Sequence, residues 1–373
     1  MNSCVQIPGL GAVLALIAFG PAAAAESGGA AGGQGRFATS VWDAGARWQM
    51  EKFASCGVAG HLDGPRLELQ YYSAGYMGRL YRPKGAGRYV LSSYDPATER
   101  AHVVGGWARG CLDGPLSRAR LGGWDYVVHS AGATSPDGRF WYFTDGYNGH
   151  VLRCVDLEKQ EVRTLLPDAK GLMGLVADGA GRLYALKPDG QFLIVMPDGS
   201  TEAGTKVELA EDLGNWGASL ALDEKNGRIY ATCYAAKNYY VWYWDRKDGS
   251  FHGVLPTPAK SGLDRGRNKP GPFEGVNLYN QGSLCFGPDD PEYRYLYTGR
   301  TDTWGWFRMD LVKRTIAALD IESGGKGKPA IVRFSDERFS KVNVYGAAGW
   351  MEDGSFVSTV HSPYDTWRFL RVR

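Results

Sequence analysis

A Gly-Arg pair followed by an apolar residue recurs along this chain, and a second turn answers it at a nearly constant distance. The pair stands at Gly138-Arg139-Phe140, Gly181-Arg182-Leu183 and Gly227-Arg228-Ile229. Looser copies are Gly78-Arg79-Leu80, Tyr293-Arg294-Tyr295 and Gly354-Ser355-Phe356. From Arg79, Arg139, Arg182, Arg228 and Arg294, the aspartate of a polar turn (Asp95, Asp156, Asp198, Asp245, Asp310) follows after 16 or 17 residues. From Ser355 the same distance reaches Arg371, close to the end of the chain. Each pair of turns brackets short runs rich in Tyr, Phe and Val, such as FWYFTD (140–145) and IYATCY (229–234), which read as strands.

An inner strand precedes each Gly-Arg turn, as in LMGLVA (172–177) and GASLAL (217–222). An outer strand follows the second turn, as in EVRTLL (161–166) and TIAALD (315–320). Units of several short strands, spaced 43 to 66 residues apart, predict an all-β fold, a six-bladed β-propeller over residues 37–373. The sixth unit lacks its outer strand. RWQMEKFA (47–54) is predicted to supply it, closing the ring with an N-terminal strand and removing an exposed edge. A Greek-key sandwich or a pair of unrelated β domains is the competing architecture. No linker interrupts residues 47–373, and 52 glycines with 13% aromatic residues suit many tight turns.

The N-terminus reads as a targeting segment. LGAVLALIAFG (10–20) has the length of a signal-peptide apolar region, and Ala23-Ala24-Ala25 offers a cleavage site before Glu26. Residues 1–25 are therefore predicted to be a signal peptide and 26–36 a Gly-rich flexible linker, with the product periplasmic or secreted. An uncleaved anchor is the alternative, because the segment before the apolar run has no Lys or Arg. A formal net charge of +2 with no basic run gives no footprint for nucleic acid, and no membrane contact is expected beyond the signal segment. Five cysteines remain after cleavage, too sparse for a disulfide framework. Cys56 and Cys111 each stand just ahead of an LDGP turn (62–65 and 112–115), so a bridge between those loops is one reading. Burial as small hydrophobes is the other.

The second LDGP opens G-x-L-D-G-P-x-x-x-A-R (110–120), and SPDGRFWYFTDGYNGHVLRCVDLEKQEVRTLL (135–166) comes after it. This stretch resembles an NHL repeat, with matches at Asp113, Gly114, Pro115, Asp137, Gly138, Tyr142, Asp145, Asn148, Arg153 and Asp156. The resemblance is specific over roughly 110–166 and looser over 60–106. It implies a six-bladed propeller related to the SMP-30/gluconolactonase-like group, with LDGP as the loop that steps from one blade to the next. It also implies that Asp145 and Asn148 brace a loop.

In such propellers the loops leading into the inner strands share one face with those between the second and third strands, and that face usually holds the site. Aligning inner strands on Ala131, Gly174, Gly217, Gly282 and Gly346 places His129, Leu172, Asn215, Asn280 and Val344 two positions earlier. Ser130, Met173, Trp216, Gln281 and Tyr345 stand immediately before the small residue. Asn215, Trp216, Asn280, Gln281, Tyr345 and Trp304 are the predicted ligand-binding residues. Amides both donate and accept hydrogen bonds, and rings stack on sugar faces. Tyr147, Tyr239, Tyr240 and Trp306 lie on or near the same face, with packing as the competing role. The long connections 257–277 and 323–341 are candidates to rim it.

His129, and His361 in HSPYDT, are the candidate catalytic bases; a bond to a strand-end carbonyl is the plain alternative for His129, and an ordinary loop position for His361. Asp125, Asn215, Asn280 and Asn343 supply oxygen ligands suited to a divalent cation such as Ca or Mn. The gluconolactonase-like group holds such an ion at its channel, but here amides outnumber carboxylates, and turn chemistry explains the same residues. The expected function is an exported propeller that binds a small polar ligand, a sugar or sugar acid, at the channel mouth. A metal-dependent lactonase-like hydrolase or a sugar-acid lyase is the enzymatic alternative, and a protein-interaction scaffold the third.

Overall fold

The predicted strand runs are strands in the computed structural model, which describes residues 47–54, 69–71, 91–95, 100–105, 111–120, 132–137, 139–145, 151–156, 158–169, 172–209, 219–235, 239–256, 271–275, 284–287, 290–300, 305–322, 330–335, 344–350, 356–360 and 365–371. After β1 (Arg47–Ala54), the first sheet is β2 (Leu69–Tyr71), β3 (Leu91–Asp95) and β4 (Arg100–Gly105). The second contains β5 (Gly114–Pro115), β6 (Gly132–Thr134), β7 (Phe140–Asp145), β8 (Val151–Asp156) and β9 (Glu161–Leu166), ordered β5-β9-β8-β7-β6. The third is β10 (Gly174–Ala177), β11 (Leu183–Leu186), β12 (Gln191–Val195) and β13 (Thr201–Lys206). The fourth is β14 (Ser219–Asp223), β15 (Arg228–Ala235), β16 (Tyr239–Asp245) and β17 (Phe251–Pro256).

The remaining strands join in one ten-stranded sheet. It holds β18 (Gly271–Pro272), β19 (Leu284–Phe286), β20 (Tyr295–Arg300), β21 (Gly305–Asp310), β22 (Thr315–Glu322) and β23 (Ala330–Ser335). β24 (Val344–Trp350), β25 (Phe356–Val360), β26 (Asp365–Arg371) and β1 complete it. All pairings among the described residues are antiparallel, and these residues contain no α-helix, only a 3-10 turn at Phe273–Gly275.

β7 and β8 are buried on both sides, with only their first residues half-exposed. This is the signature of a sheet covered on two faces. One apolar cluster joins Tyr142, Leu152 and Cys154 of the second sheet to Leu175, Leu183 and Val195 of the third. Another joins Tyr184 and Phe192 to Ile229, Trp242 and Trp244, and a third joins Tyr240 and Leu255 to Leu296, Phe307 and Met309. Each core thus lies between consecutive sheets, and the first strands β6, β10, β14 and β19 touch in succession.

The 16–17 spacing has a physical basis in hairpin register. Phe140 pairs with Asp156, Arg228 with Asp245 and Tyr295 with Asp310. The arginine at or beside the start of the second strand therefore meets the aspartate that ends the third. Arg294 grips Asp310 with two bonds (Nε–Oδ1 3.1 Å, Nη2–Oδ2 2.6 Å), and Arg139 reaches Asp156 at 3.0 Å. The Arg228–Asp245 contact is looser at 3.7 Å, and Arg182 turns instead to the buried Asp178 at 2.7 Å. Asp156 and Asp310 also accept from two amides each in their turns. Burial alone would raise both carboxyls, but the arginine and the turn amides outweigh it and hold them below the ordinary aspartate value.

The expected outer strand 47–54 pairs with β26 along Trp48–Ala54. An unforeseen strand, β23, fills its other edge, pairing Arg47–Met50 with Ala330–Arg333 and also pairing with β22. The long connections expected to rim the ligand face are corrected in part. Residues 330–335 are β23, and Gly271–Pro272 pair with Thr315–Ile316 of β22. Both segments lie on outer strand edges, where unpaired backbone groups attract them. Cys111 forms no disulfide, so the Cys56 bridge is absent, whereas Cys154 and Cys285 are buried as expected.

Candidate functional site

The two ends of the sheets differ in what their residues do. At one end, the turns between first and second strands and between third and fourth strands consume their own charges. Asp137 accepts from Ser135 Oγ and the Arg139 amide. Asp178 accepts from two amides and from Arg182, Tyr184 and, across the boundary to the next sheet, Arg246. Lys225 and Glu292 join the fourth sheet to the fifth at 2.6 Å. These groups are structural, as their turn positions imply.

The predicted site residues fall, in chain order, in the segments between strands. Asp125 and His129 fall in the connector between Arg120 and β6, and Asn215 and Trp216 in the one leading into β14. Asn280 and Gln281 precede β19, Asn343 precedes β24, Trp304 precedes β21 and His361 follows β25. All nine lie outside the described residues, as do Tyr147 and Asn148. Tyr345 is the second residue of β24.

Burial is described at two aligned positions. Leu172 and Met173 lead into β10, and both are buried in cores between sheets, with the Met173 amide donating to Leu186 O at 2.7 Å. At this sheet the aligned pair is packing. Tyr240 is likewise buried in the core between the fourth and fifth sheets, so for this ring packing, the competing role, is the one the structure shows. Tyr239 packs on Gly253, whose missing side chain leaves room for the ring.

The most charged buried group is one that sequence reading passed over as a site. Arg153, on β8, is fully buried. Its Nη1 donates to Asp145 Oδ2 at 2.8 Å and to Arg120 O at 2.6 Å. Its Nη2 donates to Asp113 Oδ1 at 2.9 Å and to Leu112 O at 2.8 Å. Asp113 in turn accepts from the Thr164 amide (2.7 Å) and hydroxyl (3.0 Å) on β9. Asp113, Asp145 and Arg153 are three residues of the NHL-like match, and their spacing was the signal for this cluster. Beside it, burial first and then the Asp145 carboxylate push the Cys111 thiol up to about 11, against the pull of Arg153. Among the described residues, no three His, Cys, Asp or Glu side chains group as metal ligands.

Comparison with family models and with curated proteins returns no match. Among solved structures, the chain is similar to an auxiliary nutrient binding protein of Bacteroides thetaiotaomicron, with a TM-score of 0.54 at 11% identity over 88% of this chain and 77% of that one. This chain has the fold of a β-propeller. A gluconolactonase of Xanthomonas campestris aligns over 87% of this propeller and 90% of its own chain, with a TM-score of 0.48 at 8% identity. At these identities the likeness is one of fold. The antiparallel sheets of this chain are accordingly built of blades, the ten-stranded sheet joining strands of more than one.

Proposed function

We propose that this chain is an exported six-bladed propeller, closed by β1, that binds a sugar or sugar acid where its inner strands begin. The observation that carries the reading is the contact of β6, β10, β14 and β19 in succession. Connectors from separate blades lead into these adjacent strands, and the proposed residues stand in those connectors. His129, Asn215, Trp216, Asn280, Gln281 and Tyr345 are its ligand-binding set, with Trp304 and His361 contributed by loops between second and third strands. The self-satisfied charges at the opposite end leave this end as the place for recognition. The name of the similar Bacteroides protein, a nutrient binding protein, supports the ligand class.

Asp125, Asn215, Asn280 and Asn343 offer neutral amides and one carboxylate to a cation, a donor set that fits Ca better than Zn. Their chemistry would be to hold the ligand's hydroxyls through the ion.

The test is a glycan array and a lactone-hydrolysis assay on the purified wild type, with His129→Ala and Asn280→Ala beside it. Weakened binding in both variants at a melting temperature within a few degrees of the parent supports the site. Stoichiometric Ca or Mn together with lactone turnover would make the protein an enzyme. If no sugar binds and both variants merely unfold sooner, the reading fails and an interaction scaffold takes its place. Export is tested by intact mass from the native host, which should begin at Glu26.

A further inference from the structure

We infer that Asn226-Gly227 is a deamidation site held in check by the buried Asp223 carboxylate. Its conversion loosens the seam between the fourth and fifth blades. The pair lies in the turn between β14 and β15, and among the described residues it is the only Asn-Gly. Asparagine is a chemically labile residue, and before glycine no Cβ screens the backbone nitrogen that attacks it. The turn needs this glycine, because Gly227 lies at a φ of 74°.

The reaction joins Gly227 N to Asn226 Cγ. The bond from Cγ to Nδ2 breaks, and the side-chain nitrogen leaves as ammonia with the proton given up by Gly227 N. Water then opens the cyclic imide at either carbonyl, leaving aspartate or isoaspartate at 226. Both reacting groups are tied to one residue. Asn226 Nδ2 donates to Asp223 Oδ2 at 2.8 Å, Asn226 N to Asp223 Oδ1 at 2.8 Å, and Gly227 N to Asp223 O at 2.9 Å. Arg246 N holds the far side by donating to Gly227 O at 2.8 Å. Asp223 is 1% exposed and Gly227 is buried, which keeps base and water from the reacting atoms. The turn must open before the chemistry, and the rate falls with the population of the open form.

Conversion turns an attraction into a repulsion. A carboxylate at 226 has no N–H for Asp223 Oδ2, and two negative oxygens stand where a donor met an acceptor. Nearby cations are engaged: Lys225 holds Glu292 of the fifth blade at 2.6 Å, and Arg246 reaches Asp178 at 3.4 Å and Glu224 at 3.7 Å. Asp290, buried in the fifth blade, already has its carboxyl pushed up, by burial first and, among the charges, by Asp223. The added charge falls on the seam where Tyr230 meets Phe286 at 5.4 Å and Ser219 Oγ accepts from Leu284 N at 2.8 Å.

The test holds the full chain and a synthetic peptide of residues 220–232 in warm, mildly alkaline buffer. Peptide mapping counts aspartate and isoaspartate at 226. The protein should convert at least about thirtyfold more slowly than the peptide. Asp223→Asn keeps only one of the two accepting oxygens and should convert about tenfold faster than the parent, with amide exchange over 183–206 unchanged. Asn226→Asp, the direct product, should raise exchange several-fold over 219–235 and 290–300, with 183–206 at the parental rate. A parent that converts as fast as the peptide, or an Asp223→Asn chain as slow as the parent, overturns the inference. If Asp223→Asn also exchanges faster over 183–206, it has lost its fold and Asn226→Asp decides. Exchange in that variant that is parental at the seam, or raised equally everywhere, overturns the inference.

Discussion

The connectors into the second and fifth blades adopt one backbone arrangement with opposite side-chain chemistry. Gly114-Pro115 pair with Glu161–Val162, and Gly271-Pro272 pair with Thr315–Ile316. Leu116 N donates to Gln160 O at 2.7 Å, and Phe273 N to Arg314 O at 3.0 Å. Both acceptors are non-glycine residues at positive φ, 54° and 55°. Both glycines lie at φ values closed to other residues in ordinary loops, 122° and 144°. Leu116 and Phe273 are both buried.

Around this shared frame the polar set is exchanged as a group. Register aligns Asp156 with Asp310, hence Arg153 with Phe307 and Thr164 with Ala318. Where the second blade has Asp113 before its Gly-Pro, the fifth has Pro270. A buried charge left without its partner is costly, whereas the complete pair and a complete apolar set are both tolerable. The members therefore change together. The backbone of a blade edge is set by Gly-Pro and the turn carbonyl, and either chemistry can then hold it.

The largest effect should come from breaking the polar set. Arg153→Phe removes the guanidinium that bonds Asp145, with 1% of its side chain exposed, at 2.8 Å. Urea unfolding should show a loss of about 3–5 kcal/mol. Adding Asp145→Ala should recover at least about 1 kcal/mol of it. If the pair is no more stable than the single variant, the exchange is not coupled.

The shared backbone is probed next. Nothing lies within 4 Å of a Cβ built on Gly114 or Gly271, so alanine meets no neighbour and only the backbone resists. Gly114→Ala and Gly271→Ala should each cost about 1–3 kcal/mol and by similar amounts. A clear inequality in their melting temperatures would show that the two frames are not equivalent.

A smaller change is expected from Phe273→Leu, which gives the fifth blade the residue type of the second. Volume-tolerant apolar exchange predicts a loss under about 1.5 kcal/mol, and a larger loss by urea unfolding would show that the ring itself is required.

The smallest effect concerns what both blades share, the Arg–Asp hairpin clamp. The folded Asp156 and Asp310 carboxyls titrate below the ordinary aspartate value of about 3.9. A depressed folded value means stability present above that pH and lost as pH falls through the folded values. Asp156→Asn with Asp310→Asn should flatten the acid limb of the stability curve below about pH 4. An acid limb as steep as the parent's would assign acid sensitivity to other carboxylates.

Much of this was legible because hairpin geometry is local. A fixed spacing from Arg to Asp fixes two strands and the turns at their ends, and β1, β7 and β9 have the bounds read from sequence. The NHL-like match also held the members of the Arg153 cluster, although not their contacts. Three features were not legible. AIVRFS sits in a Gly- and Lys-rich connection, and it becomes β23 because two outer edges, β22 and β1, stand open beside it. The Gly-Pro of the fifth blade lacks the preceding Asp that marked the other copies. Leu172, Met173 and Tyr240 align in sequence with the predicted mouth or stand near it in the chain, yet packing between blades buries them.

By itself the sequence determined the strands, their turns and the partner of the N-terminal strand, since these depend on residue type at short range and on one unfilled edge. Tertiary structure alone decided which connectors lie on blade edges and which aligned positions are core. It also decided that Arg153 meets both sides of a loop 33 to 41 residues before it. Burial and edge pairing are properties of what stands beside a residue in space, and no local pattern encodes its neighbours across the fold.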